Sequence, residues 1–376
     1  MNYTNIQCES NFKPSLQFRS GVSLHSHTLH SRERLDFIYR LAKSVQPIRF
    51  ALERGEARYR RFYGTSLDLS RAWWTPPVGP QAAWNLEAGN IENRFALSAL
   101  VSLTDHDEIQ APAALQVLNK SLQIPISVEW TVPFRYSFFH LGVHNLAAEH
   151  ARSIMAALAA FTAAPVEDSL NELLGSLAAN RGTLIVFNHP YWDEKGIGEA
   201  NHRALARHFA SSYKSYIHAF ELNGLRPWRE NRTVFELARL FDKPLISGGD
   251  RHAMEPNTIL NVTNAASFSE FVEEIREGFS DVLVTRQYLE PLRMRMLQNL
   301  QDILGDQEDH PLGWRRWSDR AFYLGEDGLI RSFTEAWDSG EPWAVRTFTR
   351  GLQMLQQRHM KQAFRVTFAR REEVVP

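Results

Sequence analysis

The stretch Val22-Ser23-Leu24-His25-Ser26-His27 is an apolar run that ends in two histidines one residue apart. Side chains two apart on a strand point to the same side, so both imidazoles can share one metal ion. Similar strand-like runs with a polar end recur over more than 220 residues. They carry Asp105 and His106 in SLTDHDEI, Glu129 in PISVEWTV, His140 in FFHLGVH, His189 in VFNHPYW, and Asp250 with His252 in ISGGDRH.

Strand-like runs alternate with helical patterns along most of the chain. This alternation predicts an α/β fold with parallel strands and with helices outside. Since the polar residues gather where the strands end, the site is expected on one face of a barrel-like sheet. The predicted strands are 22–27, 99–104, 124–130, 137–143, 183–188, 219–223 and 244–248, and the helices between them include 112–122, 169–179, 201–212 and 233–241.

Composition excludes several classes of protein. The 42 Lys and Arg residues nearly balance 43 Asp and Glu residues, so no global charge attracts the 376-residue chain to nucleic acid or to a membrane. The single cysteine, Cys8, excludes an internal disulfide and a thiolate metal cage, which fits a reducing cytoplasm. We see no secretory signal, and the longest apolar run, 154–166, is too short for a bilayer and is interpreted as a buried helix.

The donor set points to hydrolysis. Neutral imidazole suits zinc, manganese or iron, and carboxylates can bridge two cations and balance their charge. Six histidines and three carboxylates exceed what one tetrahedral ion uses, which indicates two or three divalent metal ions. Metal ions roughly 3.5–4 Å apart activate a shared water and clamp the oxygens of a phosphoryl group. Hydrolysis of a phosphoester is therefore the first reaction to consider.

The ordered set HSH, TDHD, a strand glutamate, HLG, NHP and GGDRH resembles the PHP (polymerase and histidinol phosphatase) domain of metal-dependent phosphoesterases, over about residues 20–290. The resemblance implies a distorted TIM-like (β/α)7 barrel that binds up to three metal ions at its carboxyl-terminal rim. It also implies three groups of ligands: His25, His27, Glu129 and Asp250 for one ion; Glu129, His140 and His189 for a second; His106 and His252 for a third.

One position departs from the family pattern. After the motif HxHTxxS the family usually supplies an aspartate, or a histidine one residue later, whereas this chain has Arg32 and Glu33 there. Glu33 can provide the missing oxygen. We therefore assign Glu33 to the third ion.

Three further residues beside the clusters are candidate catalytic residues. Asp105 either binds metal or, as we favour, fixes the orientation of a metal-bound imidazole. His144 lies beyond the strand if that strand ends near Gly142; it either meets substrate or caps a loop, and His144, Tyr191 and a metal-bound water are the candidates for the leaving-group acid. Arg251 is a candidate phosphate-binding cation or an ion-pair partner. The other basic side chains that adjoin the clusters are Arg32, Arg135 and Lys195.

The expected domains are a metal-binding barrel over 18–290, with an inserted helical and aromatic segment at 34–93 close to the substrate, and a C-terminal helical extension over 291–376. Residues 32–61 carry nine basic side chains against four acidic ones, and Trp73, Trp74 and Trp84 follow. Such a mixture can bind a phosphate backbone and stack bases. A solvated helix beneath an aromatic lid is the simpler interpretation. The extension is expected to be a packing element or an oligomer contact.

The sequence thus predicts a cytoplasmic metal-dependent phosphoesterase without a membrane partner. Its substrate is a small phosphorylated molecule, a nucleotide or a nucleic-acid end, and the basic aromatic segment favours nucleotide-like substrates. The alternative is a non-catalytic metal-binding scaffold whose insert and extension bind a partner. The oligomeric state is not determined by these patterns.

Overall fold

The computed structural model describes residues 3–11, 13–35, 39, 46–64, 68–119, 123–336, 347, 350 and 351. Its strands form two five-stranded sheets and one four-stranded sheet. The strands are β1 (Tyr3–Cys8), β2 (Ser20–Ser23), β3 (Glu33–Arg34), β4 (Ala72–Trp74), β5 (Ser98–Val101), β6 (Ile126–Phe134), β7 (Ser137–Leu146), β8 (Leu184–Phe187), β9 (Ala219–Asn223), β10 (Leu245–Gly248), β11 (Ile259–Thr263), β12 (Phe279–Val284), β13 (Ala321–Leu324) and β14 (Ile330–Ser332).

Ten α-helices lie within the described residues. They are α1 (Gln46–Tyr63), α2 (Pro80–Phe95), α3 (Gln110–Leu118), α4 (Ala151–Ala163), α5 (Glu167–Ala179), α6 (Glu199–Tyr213), α7 (Trp228–Phe241), α8 (Phe268–Arg276), α9 (Leu292–Leu304) and α10 (Phe333–Ala336). The apolar run 154–166 belongs mainly to α4, which is amphipathic rather than wholly buried, since it buries only Ala151, Leu158 and Phe161. No helix of the described residues combines the length and the hydropathy needed to cross a membrane.

The α/β class is confirmed, but the expected distorted TIM-like (β/α)7 barrel is wrong. The first sheet has the order β1-β12-β11-β2-β5 and the second has the order β10-β9-β8-β7-β6, and both are open. Between the two sheets, the described residues form only isolated bridges, Ser26 with Arg251 and His106 with Glu129. The structure is therefore a set of open mixed sheets without a closed barrel.

A hairpin explains why the strands are not all parallel. Only Arg135 and Tyr136 separate β6 from β7, and these strands pair antiparallel. A parallel pair needs a crossover of about a dozen residues or more, for which there is no room here. Arg135 takes a left-handed φ of 54° that helps to close the turn. β7 also pairs antiparallel with β8, and β11 with both β2 and β12.

The helices arise from local signals and cover the sheets with apolar faces. In α8 the Ser267 side chain accepts a hydrogen bond from the backbone N–H of Glu270, which caps the first turn. The buried positions of this helix then recur at helical spacing, so one face packs on β12. These positions are Phe268, Phe271, Val272 and Ile275.

The second sheet is anchored by aromatic packing. Phe187 of β8 and Phe220 of β9 are fully buried, and the Phe187 ring lies 5.1 Å from that of Phe209 on α6 and 6.1 Å from that of Phe220. Buried aromatic pairs of this kind add stability beyond the area they bury. The carboxyl ends of these two strands, which lead into the site, are thus held by a rigid core.

The third sheet joins two distant parts of the chain. Its order is β14-β13-β4-β3, with Ala321 opposite Trp74 and Trp74 opposite Glu33. The expected insert therefore pairs with the expected C-terminal extension, and the described part of that extension contains strands as well as helices. Most of the expected extension after Ala336 lies outside the described residues, and the domain bounds 18–290 and 291–376 stay predictions.

Candidate metal centre

The chain turns sharply where several predicted ligands lie. His25, His189 and Asp250 have positive φ values of 63°, 24° and 53°. A non-glycine residue in this region costs about 1–3 kcal/mol and persists only where its surroundings hold it, which is common at functional sites. These strained positions follow β2, β8 and β10 and direct their side chains to one pocket. Glu129 and His140, in contrast, lie within β6 and β7.

Glu129 is at the centre of the pocket. Its side chain is completely buried. Five imidazoles lie within 3.6 Å of its two oxygens. Oε2 lies 2.9 Å from His25 Nε2, 3.3 Å from His27 Nε2 and 3.4 Å from His106 Nδ1, while Oε1 lies 3.2 Å from His189 Nε2 and 3.6 Å from His140 Nδ1.

Glu33 is at the centre of a second group. Its Oε2 lies 3.4 Å from His106 Nε2 and 3.2 Å from His252 Nε2, and its Oε1 lies 3.7 Å from His27 Nδ1. Asp250 joins the two groups, because its Oδ1 lies 3.7 Å from the Nε2 atoms of both His25 and His27. All nine predicted ligands therefore converge on one pocket.

The potential ligand atoms form three overlapping groups. In each group the atoms lie within 4.8 Å of one another: His27, Glu33, His106 and His252; His25, His27 and Glu129; His106, Glu129 and His140. His27 and His106 each belong to two groups, which differs from the division that the PHP resemblance implies. Three groups that could each hold a metal ion are thus present, and they share residues.

The buried donor atoms fit divalent cations. Four of them make no hydrogen bond of good geometry within the described residues, although His25 Nε2 and Glu129 Oε2 lie 2.9 Å apart: His25 Nε2, His27 Nε2, His106 Nδ1 and Glu129 Oε2. Unpaired buried polar atoms are costly and rare. Imidazole nitrogens beside carboxylate oxygens are donors that zinc, manganese and iron accept. Cations held by the groups above would give these atoms partners: His25, His27 and Glu129 belong to one group, and His106 and Glu129 belong to another.

The pKa values of His27 and Glu129 suit metal binding. Burial, followed by the charge of His252, lowers the pKa of His27 to about 3, so the ring is neutral at pH 7. Burial opposes the charge on Glu129, but the imidazolium charges of His25 and His106 hold the pKa of its carboxyl well below the usual range. A metal ligand must be a neutral imidazole or an ionised carboxylate.

The surroundings of His25 favour a protonated ring when no cation is bound. Burial favours its neutral ring, yet the carboxylates of Glu129 and Glu221 outweigh burial and raise its pKa well above the ordinary value. The two carboxylates flank the ring on opposite nitrogens. Metal binding at Nε2 would therefore release a proton.

The three candidate catalytic residues lie behind the ligands. Asp105 accepts hydrogen bonds from the N–H and the hydroxyl of Thr28, at 2.5 and 2.7 Å, and burial raises its pKa to about 7. β7 continues to Leu146 rather than ending near Gly142, so His144 lies on this strand, buried, with Nδ1 2.8 Å from Ser102 Oγ. Burial lowers the pKa of His144 to about 3.

Arg251 is tied inside the protein. Its side chain is 3% exposed, its Nε donates to Glu87 Oε1 at 2.8 Å, and another guanidinium nitrogen donates to the carbonyl of Ala253 at 2.7 Å. The other predicted cations lie further out: the guanidinium of Arg32 is 5.4 Å from the Trp73 ring, that of Arg135 is 5.5 Å from the Phe134 ring, and Lys195 is exposed. Tyr191 lies beneath Arg203, 5.2 Å from its guanidinium.

Sequence reasoning missed four residues. Glu221 Oε1 lies 2.5 Å from His25 Nδ1, and Glu194 Oε2 lies 3.9 Å from His140 Nδ1. Arg226 lies 3.5 Å from Asp250 and stacks 3.4 Å from the Trp192 ring centre. The fourth, Glu87, binds Arg251. Two of the four could have been found from the sequence, because each is an acidic residue in an apolar setting. They are Glu221 in the strand AFELN and Glu87 on the buried face of α2.

Comparisons with known proteins add little. No protein-family profile and no curated protein matches the chain. Among solved structures, PsfC from Pseudomonas syringae PB-5123 is similar at 14% identity, over 76% of this chain and 99% of that one, with a TM-score of 0.44. An amidohydrolase from Chromobacterium violaceum, solved with sulfate and without metal, shares 16% identity over 48% of this chain and 84% of that one, with a TM-score of 0.34.

A third similar structure comes from Bifidobacterium adolescentis ATCC 15703, a protein for which metal-dependent phosphoesterase activity has been suggested. It shares 13% identity over 54% of this chain and 92% of that one, with a TM-score of 0.32. All three TM-scores are below 0.5, so neither the fold nor the function of this chain is inferred from these proteins.

Proposed function

We propose that this chain is a metal-dependent phosphoric ester hydrolase with a dinuclear or trinuclear centre of zinc, manganese or iron. The observation that carries the proposal is the buried Glu129 carboxylate, which lies within 3.6 Å of five imidazoles. The order of the motifs, which resembles the PHP family, supports a phosphoester as the substrate. The ligands would be His25, His27, Glu33, His106, Glu129, His140, His189, Asp250 and His252.

Bound cations supply an activated water and stabilise negative charge on phosphoryl oxygens. The chain supplies the rigidity that such chemistry needs, because ligands displaced by even 1 Å lose function. The two oxygens of the buried Glu129 carboxylate face different imidazoles. Oε2 faces His25, His27 and His106, and Oε1 faces His140 and His189. Glu33 connects His106 to His252.

We assign Asp105, His144 and Arg251 positions behind the ligands. Asp105 fixes the backbone of Thr28, the residue directly after His27. His144 binds Ser102, just beyond the end of β5. Arg251 connects its loop to Glu87. None of these three side chains is exposed enough to meet a bulky substrate.

Cationic and aromatic side chains around the pocket support a nucleotide-like substrate. Arg226, stacked on Trp192, lies beside Asp250. On another side the Phe138 ring lies 5.4 Å from His140 and 5.7 Å from the guanidinium of Arg34. Planar bases stack on such side chains, and guanidinium groups bind phosphate oxygens. A mononucleotide or a nucleic-acid end is therefore the proposed substrate class.

The ring of Trp74 lies on a further side, 6.0 Å from that of His252. Trp74 belongs to the third sheet, so the segment after Arg34 contributes directly to the rim of the pocket. This placement supports the expectation that the segment lies close to the substrate.

The test begins with metal analysis of the purified protein. Protein reconstituted with manganese or zinc is then assayed with an aryl phosphate, a diaryl phosphate, mononucleotides and short oligonucleotides. We expect turnover that is lost in His27→Ala and Asp250→Ala while circular dichroism shows a retained fold. His208→Ala, which removes an exposed imidazole on α6, is the matched control and should keep full activity.

Two outcomes would change the conclusion. Bound metal without turnover on this panel would favour the non-catalytic scaffold. Turnover of aryl phosphates alone, with no preference for mononucleotides or oligonucleotides, would contradict the nucleotide-like substrate class.

A further inference from the structure

Glu87 is a buried carboxylate that the chemistry above does not use. It lies on α2 between Ala83 and Ile91, on the helix face that packs on the first sheet, and its side chain is completely buried. An ionised carboxylate is almost never buried unless it is paired and hydrogen-bonded. The hydrogen-bond partners of Glu87 therefore indicate its role.

Those partners come from both strand ends that carry paired metal ligands. Glu87 Oε1 accepts a hydrogen bond from Arg251 Nε at 2.8 Å, and Oε2 accepts one from Ser23 Oγ at 2.9 Å. Ser26 Oγ lies 3.4 Å from Oε1. The backbone N–H of Asn257 completes the set, 3.1 Å from Oε2.

Two of these partners stand at the midpoints of ligand pairs. Ser26 lies between His25 and His27, and Arg251 lies between Asp250 and His252. The two loops also pair through the backbone, because the N–H of His27 donates to the carbonyl of Arg251 at 2.8 Å. One carboxylate therefore holds the centres of both loops.

Asn257 extends the same network. Its side-chain amide donates to Ser23 Oγ at 2.7 Å and to the carbonyl of Leu24 at 2.8 Å. The approach of Asn257 is close enough that a Cβ on Gly249 would lie 1.6 Å from Asn257 Oδ1. The absence of a side chain at position 249 is thus part of the same packing.

We propose that Glu87 is a positioning residue of the metal centre: through Arg251 and Ser26 it sets the distance between the His25–His27 pair and the Asp250–His252 pair. The proposal rests on the proposed function, since it presumes a metal at these ligands. Partners behind metal ligands typically change metal affinity by about 10–100-fold when they are altered. We expect a change of this size for Glu87.

The direct test is Glu87→Gln. The Arg251 Nε–H donates to Oε1 and the backbone N–H of Asn257 donates to Oε2, so the amide NH2 must face an N–H donor whichever way it turns. Cobalt-loaded protein reports the geometry of the ligands through its visible absorption spectrum, and competition with a chelator gives the affinity. We expect a shifted spectrum and about 10–100-fold weaker cobalt binding.

Arg251→Met and the double variant test whether Glu87 acts through Arg251, and urea unfolding of each variant measures any general loss of stability. If Glu87 acts through Arg251, the double variant loses about as much cobalt affinity as either single variant. Each single substitution already removes the hydrogen bond between Arg251 and Glu87. Two independent losses of stability would instead add. Glu92→Gln, the same change at an exposed site on the same helix, is the control and should behave like the native protein.

Ser23→Ala removes one hydroxyl from the network with little change in volume. This variant keeps the test decisive if the variants that remove a buried charge do not fold. We expect a smaller loss of cobalt affinity in the same direction. A folded Glu87→Gln protein with the native spectrum and affinity would overturn the proposal. A native chain that binds no cobalt, zinc or manganese would instead refute the metal centre itself, together with this role of Glu87.

Discussion

Glu221 holds the His25 ring from behind: its Oε1 lies 2.5 Å from Nδ1, while Nε2 on the other side of the ring faces Glu129 at 2.9 Å. Glu221 Oε2 also accepts a hydrogen bond from the backbone N–H of His189, at 2.6 Å. A single carboxylate behind the pocket thus orients one predicted ligand and fixes the backbone of another. Carboxylates in this position usually set the tautomer and the basicity of a metal-bound imidazole.

Glu221→Gln should therefore weaken metal binding by about 10–100-fold. The amide keeps the size of the side chain but loses the charge that favours a proton on Nδ1. Isothermal titration of metal-free protein with zinc measures the change. Native affinity in the variant would show that His25 needs no carboxylate behind it.

Gly248→Ala should disturb the same contact from the neighbouring strand. A Cβ at this position would lie 1.6 Å from Glu221 Oε1 and 2.3 Å from its Cδ, so Glu221 must move. We expect a loss of about 1–3 kcal/mol in the free energy of unfolding, together with weaker metal binding. Urea unfolding and zinc titration measure the two effects. Gly55→Ala on α1, where a Cβ meets nothing within 4 Å, is the control and should not destabilise the chain.

Glu33→Gln tests the third ion. Glu33 is the carboxylate of the group that also contains His27, His106 and His252. If three ions bind, we expect the variant to retain two of them, because Glu129 and its neighbouring imidazoles are unchanged. Metal content per chain, measured by plasma emission spectroscopy after dialysis, gives the count. Equal metal content in the variant and the native protein would contradict the assignment of Glu33.

His218 should make stability depend on pH independently of the metal centre. Its Nδ1 accepts a hydrogen bond from the N–H of Ile185 at 2.9 Å. Burial, followed by the charges of Arg276 and Lys243, lowers its pKa to about 3. The unfolded chain binds this proton near pH 6.5, so stability is complete above that pH and is lost as the pH falls toward 3.

Because His218 is protonated in the unfolded chain at pH 5, the free energy of unfolding should be about 2 kcal/mol lower at pH 5 than at neutral pH. His218→Asn keeps a hydrogen-bond acceptor near Nδ1 but does not titrate. Urea unfolding of both metal-free proteins at pH 7.5 and pH 5 measures the difference. Parallel losses of stability in the two proteins would exclude His218 as the source.

The strands and the set of candidate residues that meet in the pocket could be predicted because their signals are local. Each of the seven expected strands is present, and His25 and His27 adjoin a short apolar run, β2, whose burial is complete. Two-residue spacing and an abrupt change from apolar to polar residues are enough to find such sites. The nine candidate ligands were chosen for their shared chemistry and do converge, although the groups that could hold an ion differ from those that the PHP resemblance implies.

The barrel could not be excluded from periodicity alone. Runs 124–130 and 137–143 read equally well as parallel or antiparallel strands, and only the shortness of the connection at Arg135 and Tyr136 decides between them. The pairing of β4 with β13 depends on contacts between segments that are far apart in sequence, so no local pattern reveals it. Glu87 and Glu221 were missed because neither belongs to a cluster of histidines and carboxylates, although the apolar setting of each was an available signal.

The pairing of β1 with β12 has a consequence for the order in which the molecule can be assembled. Asn5 and Asp281, which bond across these strands, are 276 residues apart. Such distant pairing slows folding, because the entropy of closing a long loop is lost before the contacts between the two strands can form. On the ribosome, β1 emerges long before β12, so the backbone edge of β1 stays unpaired while the residues between the two strands are made.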